Sequence, residues 1–508
     1  MHPTPARPRS PRVVVVGSGM SGLCAVHYLR EAGVDDITVL EKRGSIGGTW
    51  RDNTYPGLAC DVPSRFYQFT FATNPDWSHL FSPGAEIAAY FEKVADDLDL
   101  RRHVRFGQEV TSIERVDGEW VVRTAAGGEW RADFVLSAAG VLHHPHVPDI
   151  AGAEEFEGAL FHSARWDHDV PLEGARVGII GSGSTGVQIT TALSTVASKV
   201  SVFQRSPHWV VTLPNPAYPR LLKAAHRRLS ALDHGGYLAY RTAMELFAQA
   251  LVQDGVRRRA IELLCRSSLA MVRDRDLRAK LTPDYQPGCR RLVMSPGYFK
   301  AVQRDTVDVV TDAIERITPT GVRTADGEEH DLDVLVLATG FDAHAFIRPA
   351  SVVGDGGRTL DDVWADGPKA YYGVAVPGLA NLFMLMGPHS PVGNYSLTAI
   401  AESQAAFVAG WIERWAAGEF DTVEVSQEAY EEHQRAMNAA MPGTVWASGC
   451  TSWYLGKDGL PELWPWTPDR YRKAMRAPVE EHWVLDAPVV APAPKQVGSR
   501  RRKDVAPA

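Results

Sequence analysis

Two stretches of the chain share one pattern of apolar and small residues. At 12–16 the run RVVVV leads into glycine, and at 176–180 RVGII does the same. A short apolar run bounded by turn residues predicts a strand buried on both faces, as in a parallel sheet. GSGMSG follows the first and GSGSTG the second. Each then continues at helical spacing, through LCAVHYLREAG to Gly33 in one case and to about residue 197 in the other. A further strand closes each unit, ITVLEK and KVSVFQRS, so each reads as strand, helix, strand. More strands are predicted at 133–139 (DFVLSAA, leading into Gly140), at VDVVT, and at 331–341 (DLDVLVLATGF). From 220 to about 280 the pattern is helical, with LLKAAHRRL, YLAYRTAMELFAQALV and RRRAIELLCRSSLAMV and no glycine-rich loop between them. The chain has no short-period repeat. Its one self-similarity is the pair of units, which implies two nucleotide-binding domains.

Bulk numbers narrow the class. The chain has 508 residues, 45% hydrophobic and 22% charged, enough for two or three domains with cores of their own. A net charge of -8 gives no basic footprint for nucleic acid. The basic run SRRRKD near the end reads as a solvated tail. Five cysteines, Cys24, Cys60, Cys265, Cys289 and Cys450, lack CxxC spacing. The set argues against a secreted disulfide framework and against a structural zinc site. The N-terminal apolar run is too short for a signal segment or a membrane span, so a cytoplasmic protein without an integral membrane segment is expected.

The loops carry the first chemistry. In a GxGxxG loop the first glycine permits the turn, the second lets backbone approach a pyrophosphate, and the third lets helix pack on strand. Gly17, Gly19 and Gly22 occupy these places in one copy, and Gly181, Gly183 and Gly186 in the other. Glu41 ends the strand after the first loop. A carboxylate there accepts from ribose hydroxyls and repels a 2′-phosphate, which suits FAD or NAD. The strand after the second loop ends in Gln204, Arg205 and Ser206, with no acid. An arginine and a hydroxyl suit the extra phosphate of NADP. The expectation is division of labour, one loop for a flavin and one for NADPH. The fold class is then α/β, with two Rossmann-like dinucleotide-binding domains and a helical insertion. The expected division is a discontinuous FAD domain at 1–150 and 331–487, an NADP domain at 151–215 and 286–330, a helical subdomain at 216–285, and a disordered tail at 488–508.

Further motifs bear on the reaction. FEGALFHSARWD matches F-x-G-x-x-x-H-x-x-x-W-[PD] at Phe156, Gly158, His162, Trp166 and Asp167. GGTWRDNTYPGLACD supplies Gly47, Gly48, Trp50, Tyr55, Pro56, Gly57 and Asp61; KLTPDYQPGCRR ends in Arg290 and Arg291; ATGF, GPHSP and CTSWYLG follow, the last with Trp453. In these motifs, spread over nearly the whole chain, the protein resembles the type I Baeyer–Villiger monooxygenases, a group of class B flavoprotein monooxygenases. The resemblance implies that NADPH reduces FAD and that a C4a-peroxyflavin formed with O2 inserts one oxygen beside a ketone carbonyl, giving an ester or lactone. It implies Arg291 as the central catalytic residue, stabilising negative charge with a permanently charged fork, and Asp61 as its orienting partner at the cofactor site. It also implies Gly48 and Trp50 as cofactor-binding residues. Arg290 would join Arg205 on the NADP phosphate, and Trp453 would pack near the nicotinamide or substrate. His162 and Trp166, four apart, share a face if their segment is helical, and the fingerprint reads as a hinge coupling the two domains. No metal site is expected. Two alternatives stand beside this reading: a flavin monooxygenase of amine nitrogen or sulfide sulfur, and a non-catalytic flavoprotein.

Overall fold

The computed structural model describes residues 9–393 and 395–486; the expected tail at 488–508 lies outside them. Two five-stranded parallel sheets organise the chain. The first runs Leu382–Met384, Phe134–Ser137, Arg12–Val16, Asp36–Glu41, Val104–Phe106. The second runs Val307–Val310, Lys199–Phe203, Arg176–Ile180, Val334–Leu337, Ala159–His162. In each, the strand that feeds a glycine loop is central, and the loop opens a helix: Met20–Glu31 in one, Ser184–Leu193 in the other.

The two units match in detail. A meander of antiparallel strands precedes the strand on the other side of each central one: Val110–Val116, Glu119–Thr124 and Glu129–Ala132 in the first unit, Ile314–Thr318, Gly321–Thr324 and Glu329–Asp331 in the second. An Arg–Asp pair fixes the start of both central strands. Asp133 accepts from the backbone and guanidinium of Arg12, and Asp333 accepts from the same groups of Arg176.

One expectation is corrected. The strand inside 331–341, assigned with the FAD unit, pairs in parallel with Arg176–Ile180 and with Ala159–His162. It therefore belongs to the second sheet, as its counterpart Phe134–Ser137 belongs to the first. An isolated buried strand, VLVL, fits either sheet by hydrophobicity alone.

Helices Arg220–Arg228, Ser230–Val252, Val256–Leu269 and Arg275–Lys280 fill the predicted helical stretch. Among the described residues no helix is long and apolar enough to cross a membrane. The cysteines, read as lacking a disulfide framework, do hold one bridge, Cys289–Cys450, with Cα atoms 6.1 Å apart. The two are 161 residues apart, so spacing along the chain could not reveal it. Cys24, Cys60 and Cys265 are free and buried.

Candidate functional site

Both loops open onto one cavity of about 1010 Å³. Gly17, Gly19 and Gly48 line it from the first unit, Gly181 and Gly183 from the second. The third glycine of each loop sits beneath. A Cβ on Gly22 would lie 2.0 Å from the Gly17 carbonyl oxygen, and one on Gly186 would lie 2.1 Å from that of Gly181, so no larger residue fits either place. Gly19 and Gly183 stand at the helix N-caps, and no side chain caps either helix. The first-turn N–H groups are thus left for an anion at the cavity wall, which is what a dinucleotide pyrophosphate supplies.

Glu41 ends its strand buried, 6% exposed. One carboxylate oxygen accepts from the Ser18 N–H and hydroxyl, both at 2.8 Å, and the other from the Arg43 N–H at 2.8 Å. The side chain therefore ties the strand end to the loop while lining the cavity, and its second oxygen keeps a lone pair for a ribose hydroxyl. Trp50 also lines the cavity and donates its indole N–H to the Tyr67 hydroxyl at 2.9 Å.

On the second loop's side, Arg205 is exposed at the cavity rim. Arg290 donates to the Ser206 hydroxyl at 2.8 Å and lies 4.6 Å over the Tyr285 ring. Its Nε is buried and without a protein partner. Two guanidiniums and a hydroxyl here form a donor set suited to a phosphate group. His208, beside them, is held neutral: burial first, and then the nearby Arg290 charge, push its pKa down to about 4.

Arg291 and Asp61 meet in the same cavity, although 230 residues separate them. The guanidinium Nε and Nη2 donate to the two carboxylate oxygens at 2.7 and 2.5 Å. This parallel fork fixes the plane of the guanidinium. Burial opposes the charge on Arg291, but attraction and hydrogen bonds from Asp61 outweigh it, so the proton is held more tightly than usual. The Arg291 side chain remains 27% exposed, leaving its unused N–H groups available to the cavity.

The fingerprint segment is not helical. His162 ends the Ala159–His162 strand, and a single 3-10 turn, Ser163–Arg165, precedes Trp166. His162 and Trp166 consequently do not share a helix face. His162 Nδ1 accepts from the Ala164 N–H, and Nε2 donates to the Gly340 carbonyl at 3.0 Å; burial lowers its pKa, which fits this neutral tautomer. Gly158 allows close approach, since a Cβ there would lie 2.5 Å from the Asp333 carbonyl oxygen and 2.6 Å from the Phe156 ring. Phe156 joins a small core with Ile317 and Leu332. Trp166 packs edge-on to Phe161 at 5.1 Å and lines a groove with Arg51 and Thr54 of the first unit. Asp167 is exposed and accepts from the Asp169 N–H.

Trp453, 45% exposed, lines the cavity. Its neighbour Tyr454 was not singled out. The Tyr454 hydroxyl is buried with no hydrogen-bond partner; burial pushes its pKa up to about 12 while the Arg291 charge opposes the rise. The signal was available, because Tyr454 shares the CTSWYLG segment. Gln188 was also missed. It accepts from the Tyr55 hydroxyl and donates to the Ala59 carbonyl, both at 2.9 Å, joining the second loop's helix to the segment that leads to Asp61. Among the described residues no group of three or more His, Cys, Asp or Glu side chains is placed to hold a metal ion.

The chain is similar to known proteins along most of its length. Residues 14–243 match the family described as pyridine nucleotide-disulphide oxidoreductase. The chain is 53% identical over 464 residues to an uncharacterized monooxygenase of Mycobacterium tuberculosis, covering 91% of this chain and 94% of that protein. It is 39% identical over 499 residues to a Baeyer–Villiger monooxygenase of Streptomyces coelicolor, covering 96% and 94%. Its structure is similar to the crystal structure of an OTEMO complex with FAD and NADP, with a TM-score of 0.83 and 27% identity over 94% of this chain and 100% of that one.

Proposed function

The chain belongs to the type I Baeyer–Villiger family of FAD- and NADPH-dependent monooxygenases, and from that premise we propose that it inserts one oxygen atom of O2 beside the carbonyl of a ketone, giving an ester or lactone. The bidentate Arg291–Asp61 pair at the shared cavity carries the reading. Bound flavin supplies the reducing electrons and the activation of O2. The protein's task is electrostatic. Arg291 presents a fixed positive charge where negative charge develops on the reacting oxygen, and it gives up no proton in doing so. Asp61 orients it. Glu41 serves the flavin ribose, with Gly48 and Trp50 beside it, and Arg205, Ser206 and Arg290 take the NADP phosphate. Trp453 covers the nicotinamide or substrate. The fingerprint residues Phe156, Gly158, His162, Trp166 and Asp167 couple the two units, a role supported by contacts on both sides of the junction.

The test is product analysis of single-turnover reactions with a panel of ketones and sulfides. The wild type should convert ketones to products heavier by one oxygen with ester formation. Arg291→Ala should keep FAD but lose ketone conversion by about a hundred- to thousand-fold, and Arg291→Lys should recover little, because a point charge does not reproduce the planar fork. A wild type that oxygenates only sulfides or amines would move the heteroatom reading ahead. Ketone conversion by Arg291→Ala at the wild-type rate would remove the role assigned to this residue.

A further inference from the structure

The helical subdomain exposes an apolar face that the cavity does not use. Among the described residues, nine of the sixteen exposed large apolar side chains fall within 221–271, and none of those nine lines the cavity. On helix Val256–Leu269 they form a stripe. Val256, Ala260, Leu263, Leu264 and Ser267 are all exposed, and at about 100° per residue they share one side. Val256 and Leu263 are 79% and 69% exposed. The opposite side of the same helix is packed: Cys265, Ser268 and Leu269 are buried there, and Arg258 turns inward to the Ala250 and Gly443 carbonyls. The helix thus has two apolar faces and needs only one for the fold. The adjoining helix Ser230–Val252 repeats the arrangement, exposing Leu232, Ala239, Ala243 and Leu246 at helical spacing.

Charge identifies what covers this face. Residues 220–280 hold thirteen Lys and Arg against six Asp and Glu, a net +7, in a chain whose net charge is -8. Arg257 and Arg259 flank the Val256–Leu264 stripe, exposed and without a salt bridge among the described residues. Arg266 also flanks it, paired with Glu262. A second copy of the chain docked through the same patch would set this basic surface against itself. An apolar stripe edged by arginines instead matches a surface that is anionic outside and apolar beneath, as on an amphipathic helix lying in a lipid interface.

We infer that the Ser230–Leu269 helical face is a docking surface for an anionic lipid membrane, with Val256, Leu263 and Leu264 entering the acyl boundary and Arg257 and Arg259 meeting the headgroups. This attachment is separate from the oxygenation chemistry and holds whichever substrate the cavity takes.

The test is vesicle flotation of the FAD-loaded full chain. With vesicles of phosphatidylglycerol and phosphatidylcholine at low salt, the protein should float; with phosphatidylcholine alone, or at high salt, binding should fall sharply. Arg257→Glu with Arg259→Glu, and separately Leu263→Asp with Leu264→Asp, should each weaken binding about tenfold or more. Flavin content and NADPH oxidation should stay at the wild-type level, since none of these residues lines the cavity. Failure of the wild type to float with anionic vesicles at low salt would overturn the inference, as would flotation untouched by both variants. So would light scattering that shows a vesicle-free dimer split to monomers by the leucine variant, which would assign the face to a second copy.

Discussion

Arg205 and Arg290 both stand beside the second loop, but their surroundings differ. Arg290 is anchored by the Ser206 hydroxyl and the Tyr285 ring, whereas Arg205 is exposed at the rim. Truncating Arg290 disturbs that anchored set, while truncating Arg205 removes one contact and little else. Arg205→Ala should therefore weaken NADPH by about 1–3 kcal/mol, the worth of a charge-assisted hydrogen bond, and leave NADH nearly unchanged. Steady-state KM values for both cofactors decide it, because equal losses would take Arg205 off the 2′-phosphate. At this scale the motifs were informative where chemistry restricts the residue type. Glu41, Arg205, Arg291 and Asp61 were legible as candidates, because a charge beside a glycine loop or within a motif stands out in sequence, and all four line the cavity. Tyr67 and Gln188 were not. Their parts depend on which distant side chain or backbone group they face, and no local pattern encodes that.

Periodicity read the strands and helices well but did not say which sheet owns a strand. The two units are copies down to the Arg12–Asp133 and Arg176–Asp333 clasps. Recognising DFVLSAAG and DVLVLATG as equivalent strands would have placed Val334–Leu337 with the second sheet. Helix Leu397–Ala416 shows a different limit. It packs on Met20–Glu31 and grips the 66–70 loop: Ser396 donates to the Phe66 carbonyl, and Glu402 accepts from the Thr70 N–H and hydroxyl at 2.6 and 3.0 Å. Burial pushes the Glu402 carboxyl up to about 7, although the Thr70 hydrogen bonds favour its ionised form. An unfolded glutamate titrates near pH 4.3. The folded state thus binds the extra proton, and the stability this supplies, complete below about pH 4, is lost as pH rises through about 7. Glu402→Gln keeps a partner for both Thr70 groups but cannot ionise. The variant should gain on the wild type as pH rises from about 4 to about 8, by up to about 3 kcal/mol. Urea midpoints at the two ends measure it; a difference that stays constant with pH would show that Glu402 does not titrate in this window.

Across the whole molecule, the helical subdomain and the first unit are joined by a buried ionic contact. Arg65 and Asp233, 2% and 5% exposed, pair at 2.7 Å, and His226 meets the same Asp233 oxygen at 2.7 Å. Arg65 comes from the segment just after Asp61, while Asp233 and His226 come from the helices. The guanidinium also donates to the Pro75 carbonyl and lies 4.8 Å over the Tyr218 ring. A buried pair contributes little net stability over an apolar replacement, but removing one partner leaves the other charge stranded, at a cost of about 3–5 kcal/mol. Asp233→Ala should impose that cost at the junction between the helical subdomain and the first unit. The helices at 220–280 should then be cut by protease much faster than in the wild type, while FAD stays bound, because no residue of this junction lines the cavity. Arg65→Met combined with Asp233→Ala removes both charges and should recover much of the protection. If the single variant resisted protease as well as the wild type, or if the double variant were the weaker of the two, the contact would not be what holds the helical subdomain in place.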